Sequence, residues 1–193
     1  MAAGGLVLGA AGNVSARAED GLAVVSPTSL PYETMRPEDV SVVGTDGSVL
    51  EGAPPSAEVA AHLAILAARG DVGGIVHTHS PYASALGCVV DEIPVVAVEQ
   101  AATVGGAIPV CPYVPSGTPE MGETVAHAAG TRWAVVIRNH GPFCFGRDLA
   151  DALACAFAVE ECARMYAIAR QVGEPSLLPD EEVDGVARRY GRR

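Results

Sequence analysis

Two histidines separated by a single residue, in Ile75-Val76-His77-Thr78-His79, close an apolar run. In an extended strand the side chains at i and i+2 leave the same face, so both imidazoles can converge on one metal ion. A third histidine, in Asn139-His140-Gly141, follows a second apolar run from Trp133 to Ile137. Three neutral imidazoles with an open fourth position make a catalytic zinc site rather than a closed structural one. The chain has no lysine, and all 12 of its basic residues are arginines. Chemistry that draws electrons out of a carbonyl therefore cannot proceed through a lysine Schiff base, and a metal is the natural substitute.

These ligands need strands and helices to hold them. Gly21–Ser26 and Val40–Gly44 read as strands, and Thr45-Asp46-Gly47-Ser48 carries the Asp-Gly signal of a hairpin leading into Val49-Leu50. Between them, Ser26-Pro27-Thr28-Ser29-Leu30-Pro31 has the prolines and hydroxyls of an ordered loop. Pro54-Pro55-Ser56 opens a helix with Ser56 as its N-cap, running through Ala61, Leu63 and Leu66 to a stop at Gly70. Further helices are expected near 80–87, 118–129 and 148–172, and strands near 93–98, 107–111 and 133–138. Residues 173–193 are rich in proline and glutamate and read as an extended or loosely docked tail. Short strands alternating with helices, with a hairpin among them, predict an α/β fold whose sheet is covered by helices on both faces.

A length of 193 residues, 49% hydrophobic with 22 glycines, is enough to bury one substantial core, and a single domain over 1–193 is expected. The net charge of −11 argues against nucleic acid as a partner, since phosphate contacts need a basic surface. Arg188, Arg189, Arg192 and Arg193 read as a solvated tail. Cys88, Cys111, Cys144, Cys155 and Cys162 are odd in number and show no Cys-x-x-Cys spacing, which predicts free thiols and a reducing, cytoplasmic setting. The apolar opening from Met1 to Leu8 lacks a basic flank and is too short to span a bilayer, so neither a signal peptide nor a membrane partner is expected.

Six short motifs occur in a fixed order: Ala11-Gly12-Asn13-Val14-Ser15-Ala16-Arg17, Pro27-Thr28, Pro55-Ser56-Ala57-Glu58, His77-Thr78-His79, Pro112-Tyr113 and Asn139-His140-Gly141. In that order they resemble the class II aldolase/adducin family over roughly residues 8–168, and a linked set is far more specific than any single motif. The resemblance implies a three-layer α-β-α sandwich around a central, mostly antiparallel sheet. It also implies Zn2+, or another divalent metal, held by His77, His79 and His140. Glu58 would be a further ligand or the acid/base group, suited to that task by a raised pKa. The implied reaction is reversible retro-aldol cleavage of a ketose phosphate of the L-fuculose 1-phosphate type. Its products would be dihydroxyacetone phosphate and an aldehyde, formed through a metal-stabilised enediolate. Sugar-phosphate 4-epimerisation, sugar-acid phosphate decarboxylation or dehydration are the related outcomes, and a non-catalytic adducin-like scaffold is a third. A glutamate at position 58, where the epimerases usually carry aspartate, favours the aldolase.

The resemblance assigns the substrate's phosphate to Gly12, Asn13, Thr28, Ser29 and Ser56. Two departures stand out, because Ser29 replaces a glycine and Ala57 replaces a serine of the family pattern. A weaker phosphate site, or one for a carboxylate, is the expected consequence. Tyr113 matches a tyrosine that reaches the aldehyde oxygen, often from a neighbouring subunit, and a homotetramer with sites between subunits is implied. Relatives also carry a helix of about five turns before the Gly-Asn-Val-Ser motif, where 11 residues precede Gly12 here. Outside these motifs, His62 and His127 read as helix-surface or packing residues, Arg138 as half of a strand-end ion pair, and Phe143-Cys144-Phe145 as core.

Overall fold

The computed structural model describes residues 1–192. Among them are nine strands: β1 (Asn13–Arg17), β2 (Ala23–Val25), β3 (Ser41–Val43), β4 (Val49–Glu51), β5 (Gly74–His77), β6 (Glu92–Ile93), β7 (Ile108–Cys111), β8 (Ala134–Ile137) and β9 (Gly141–Gly146). They form one sheet in the order β4-β3-β2-β1-β5-β9-β8-β7-β6. The sheet is mixed: β7 and β8 run parallel, and every other neighbouring pair is antiparallel. The helices are α1 (Val59–Ala68), α2 (Pro81–Gly87), α3 (Val98–Thr103), α4 (Pro119–Ala129), α5 (Leu149–Val172) and α6 (Asp180–Arg189).

Local chemistry sets several of these boundaries. Asp148 caps α5 by accepting from the Asp151 amide, and Thr118 caps α4 by accepting from the Met121 amide. In the hairpin between β3 and β4, Asp46 Oδ1 accepts from both the amide and the hydroxyl of Ser48. The long α5 packs on β5 and β9, while α1 packs on α4. All residues of β5, β8 and β9 are buried, so these central strands show no alternation of polar and apolar positions.

Three expectations are corrected and one is extended. Helix α1 begins at Val59, and its N-cap position belongs to Glu58, so Ser56 is not the cap; its hydroxyl accepts from the Glu58 amide just before the helix. The strand expected over 93–98 stops at Ile93, because Pro94 cannot donate to a ladder, and the chain turns into α3. The buried Gln100 amide then ties α3 back to the carbonyls of Ile93 and Gly106. Phe143-Cys144-Phe145 is core as expected, but it is also the middle of a strand, β9. The tail is not loose: α6 buries Val183 and Ala187, and Val183 packs with Val95 and Ala101. Acidic residues in its first turn and arginines in its last complement the helix dipole.

Arg192, expected to be solvated, is 5% exposed. Its guanidinium lies 4.7 Å from the Trp133 ring centroid and grips the Asp151 carboxylate with two nitrogens, Nη1 at 3.1 Å from Oδ2 and Nη2 on Oδ1. Arg193 lies outside the described residues. Substituting Arg192→Ala removes the cation and leaves Asp151 half-buried without it. We expect a loss of roughly 1–3 kcal/mol, between an exposed and a fully buried pair. A shift in the urea midpoint at unchanged slope measures it, and an unshifted midpoint would mean the Arg192 contacts add nothing to stability. Among the described residues, no helix is long and apolar enough to cross a membrane.

Candidate metal centre and active site

The three histidines meet at one point. His77 is the last residue of β5 and fully buried, stacked on Phe143 at 4.1 Å. His79 lies beyond the strand end, so strand alternation alone does not aim it; the backbone is held after His77 by a Thr78 amide bond to the Pro142 carbonyl. His140 sits in the tight turn between β8 and β9, where its amide bonds the Ile137 carbonyl and Asn139 adopts φ 59°. Asparagine tolerates this left-handed conformation better than most side chains. His77 Nε2 stands 3.2 Å from His79 Nε2 and 3.3 Å from His140 Nε2.

These spacings fit a metal. Ligands about 2.0–2.1 Å from a tetrahedral zinc stand roughly 3.3–3.4 Å from one another. The Pro142 carbonyl lies 3.0 Å from His77 Nδ1 and can only accept, so Nδ1 carries the proton and Nε2 turns its lone pair to the cluster. Glu58 adds further acceptors, with Oε2 at 3.3 Å from His77 Nε2 and Oε1 at 3.4 Å from His140 Nε2. A bound cation satisfies such a concentration of lone pairs, and the donor set of imidazoles and a carboxylate suits zinc among other divalent ions.

The Glu58 carboxylate is pinned from the other side. Asn13 Nδ2 donates to Oε2 at 2.8 Å, and Ser116 Oγ donates to Oε1 at 2.5 Å. Ser116 carries no signal in the sequence. It arrives because Gly117, at φ 78°, brings the 115–117 loop so close that a β-carbon there would stand 2.6 Å from the Ala57 carbonyl oxygen. Gly12 plays the same part on the opposite wall: at φ 72°, its added β-carbon would meet the His77 carbonyl at 2.6 Å. Burial pushes the Glu58 pKa up, but His77, the bonds from Asn13 and Ser116, and His140 outweigh it, and the net shift is down. The raised pKa expected for this carboxyl is therefore not what the protein itself imposes.

Beside the cluster opens a cavity of about 330 Å³, lined by Gly12, Asn13, Thr28, Ser29, Ser56 and Glu58 among others. Two loops meet to form it. The Thr28 amide bonds the Pro54 carbonyl, the Ser56 amide bonds the Ser26 carbonyl, and Pro27 pairs with Pro55. Ser29 has φ 57°, a left-handed conformation that glycine adopts most readily. All five residues expected around an anion thus border one space. Tyr113 does not; it is 59% exposed and is not among the residues lining this cavity. Arg138 pairs with Asp91 at 2.7 Å, as expected of a strand-end residue.

Of the two expectations for His62, helix surface or packing, the structure favours the second: it is fully buried, and burial lowers its pKa to about 4. An unfolded histidine titrates near 6.5. Between about pH 6.5 and 4 the unfolded chain binds a proton at this position that the folded chain refuses, so folding stability must fall as pH falls through that window. The slope is at most about 1.4 kcal/mol per pH unit, with no contribution above the window and no further loss below it. Urea unfolding of the metal-free protein at a series of pH values measures the slope. The same series on His62→Gln should lose about one proton's share of it; an identical slope would place the acid sensitivity elsewhere.

Comparison with known proteins identifies the family. The profile of the class II aldolase and adducin N-terminal domain matches residues 1–167. A 5-deoxy-D-ribulose 1-phosphate aldolase of Bacillus thuringiensis is 35% identical over 192 residues, covering 98% of this chain and 90% of that protein. An L-ribulose-5-phosphate 4-epimerase of Salmonella paratyphi B is 37% identical over 196 residues, covering 92% and 83%. Among solved structures, an L-fuculose 1-phosphate aldolase superposes with a TM-score of 0.91 at 32% identity, covering 96% of this chain and 88% of that one. The chain therefore belongs to the class II aldolase and adducin family, and is an enzyme of the metal-dependent aldehyde-lyase kind that its homologues represent.

Proposed function

We propose that this protein is a zinc-dependent lyase that reversibly cleaves a ketose 1-phosphate, of the L-fuculose or 5-deoxyribulose type, into dihydroxyacetone phosphate and an aldehyde. The observation that carries this reading is the convergence of His77, His79, His140 and Glu58 at the edge of a cavity bordered by Thr28, Ser29 and Ser56. His77, His79 and His140 would hold the cation, with Glu58 adjacent as a fourth ligand or as the proton-handling group. Once bound, the cation withdraws electrons from the substrate carbonyl and stabilises the charge left when the carbon–carbon bond breaks.

Glu58 takes and returns the proton at the carbon that becomes nucleophilic, while Asn13 and Ser116 hold its two oxygens in place. Thr28, Ser29 and Ser56, with the backbone beside Gly12, receive the substrate's phosphate. With no lysine in the chain, that site relies on hydroxyls and amides, and Ala57 leaves it one hydroxyl short of the family pattern. Tyr113, exposed in a single chain, serves the aldehyde end of a neighbouring subunit's site, in a homotetramer. The whole chain is one domain, layered helix-sheet-helix, and its five free cysteines suit the cytoplasm.

The test is a panel of ketose 1-phosphates and L-ribulose 5-phosphate, with dihydroxyacetone phosphate measured by a coupled reductase and epimers by NMR, before and after chelation and zinc readdition. Cleavage that disappears with the metal and returns with zinc supports the reading. Epimerisation without cleavage would replace it with the second reading, which the 37% identical epimerase keeps open.

A further inference from the structure

Behind Glu58 runs a line of buried side chains that leads away from the cavity. Ser15 Oγ lies 2.6 Å from His62 Nδ1, His62 Nε2 lies 2.5 Å from Asn13 Oδ1, and Asn13 Nδ2 donates to Glu58 Oε2. Two periodicities produce it. Asn13 and Ser15 are two apart on β1 and so share a face; Glu58 and His62 are four apart at the start of α1 and so share a side. The strand's face meets the helix's side, and the four groups interleave.

The direction of every bond in the line follows from one end. A carboxylate only accepts, so the Asn13 amide must turn its nitrogen to Glu58 and its oxygen to His62. That oxygen in turn only accepts, so His62 Nε2 must carry a proton. His62 Nδ1 is then bare, and the Ser15 hydroxyl donates to it. A flipped Asn13 would set its oxygen against the carboxylate and its nitrogen against the imidazole N–H, which are two repulsive contacts in place of two bonds.

The geometry points to His62 as a positioning residue: with Ser15, it locks the Asn13 amide in the one orientation that presents a donor to Glu58, and so fixes the carboxylate beside the metal ligands. This rests on the reading of Glu58 as the proton-handling group. Simple packing does not explain the arrangement. The ring lies at 55° to Phe143 with centroids 5.6 Å apart, a contact any apolar side chain could make. Both ring nitrogens instead meet side chains of one strand, in line with Glu58. Burial also holds the ring neutral, as the line of bonds requires.

Two variants of the zinc-loaded protein separate the possibilities. His62→Leu keeps bulk and loses both bonds; His62→Gln can donate to Asn13 and accept from Ser15. We expect His62→Leu to lower kcat about 10–100-fold, as loss of an outer-sphere partner does, with KM and zinc content near wild type, and His62→Gln to recover most of the loss. A raised KM at unchanged kcat would overturn the proposal, because it would make the line a support for substrate binding alone. Equal losses in Leu and Gln would overturn it too. Two readouts do not depend on which reaction the enzyme runs. Histidine nitrogen NMR of the wild type at neutral pH must show His62 protonated at Nε2 and bare at Nδ1, and a crystal structure of His62→Leu must show Asn13 or the Glu58 carboxylate displaced. The opposite tautomer, or an unmoved Glu58 and Asn13, would overturn the proposal even in a protein inactive on every ketose phosphate, whereas inactivity with the expected tautomer and displacement would refute only the assigned reaction.

Discussion

Replacing His140 by alanine is expected to cost the protein its divalent cation and to lower turnover about a thousandfold or more. His140 supplies one of three imidazoles whose nitrogens stand within 4.8 Å of one another. A cation's stabilisation of developing charge amounts to several kcal/mol, and each ~1.4 kcal/mol is a factor of ten in rate. His140 makes a cleaner test than His77, which is fully buried, so that its replacement disturbs the core. Metal analysis after dialysis and single-substrate kinetics measure both effects. Chelation of the wild type should reproduce the loss and lower its thermal midpoint, since a ligand that binds only the folded state at about a thousand times its Kd adds about 4 kcal/mol. Full activity in protein stripped of metal would remove the cation from the chemistry altogether.

Glu58→Gln is expected to lower kcat by roughly 10²–10⁴, the usual worth of a positioned acid/base group, while the metal stays bound. Glutamine keeps the volume and one oxygen for Ser116, but it cannot take up a proton. Its amide nitrogen also meets the Asn13 amide where the carboxylate oxygen accepted a bond. The pH dependence of kcat adds a second readout. In the metal-free protein Glu58 is held well below the ordinary carboxyl range, because His77, the bonds from Asn13 and Ser116, and His140 outweigh the upward push of burial. In the loaded enzyme kcat is expected to fall on acidification together with the metal content, as the imidazole ligands take up protons, and metal analysis at each pH separates that loss from any titration of Glu58. A metal content that falls together with kcat in Glu58→Gln would make Glu58 a ligand first and a proton carrier second.

The parts of this site that are legible in the sequence are those whose chemistry lies in residue type and local spacing. His77 and His79 stand out by being two apart, and His140 by following an apolar run in the same manner. Helices α2, α4 and α5 are legible because Pro81, Thr118 with Pro119, and Asp148 mark their starts. Strand β9 is not, because a strand buried on both faces has no alternation to read. Helix α6 has the polar composition of a loose tail, and only its docking through Val183 and Ala187 reveals the buried stripe. Ser116 and the role of His62 are hidden for a different reason. Ser116 lies 58 residues from Glu58, and His62 lies 49 from Asn13. No periodicity spans such distances.

What the sequence determined by itself is the inventory: three imidazoles, one carboxylate, hydroxyls in two loops, and no lysine. Those identities limit the chemistry, because side-chain type sets which atoms accept, donate or bind a metal. What only the tertiary structure decided is how they are coupled. The pairing of β1 with β5, which sets Asn13 opposite His77, and the docking of α1 against β1, which brings His62 to Asn13 and Ser15, turn separate residues into one connected centre. The reason is physical: hydrogen bonds act over about 3 Å, and residues far apart in sequence reach that range only where the burial of a common core has already brought their backbones together.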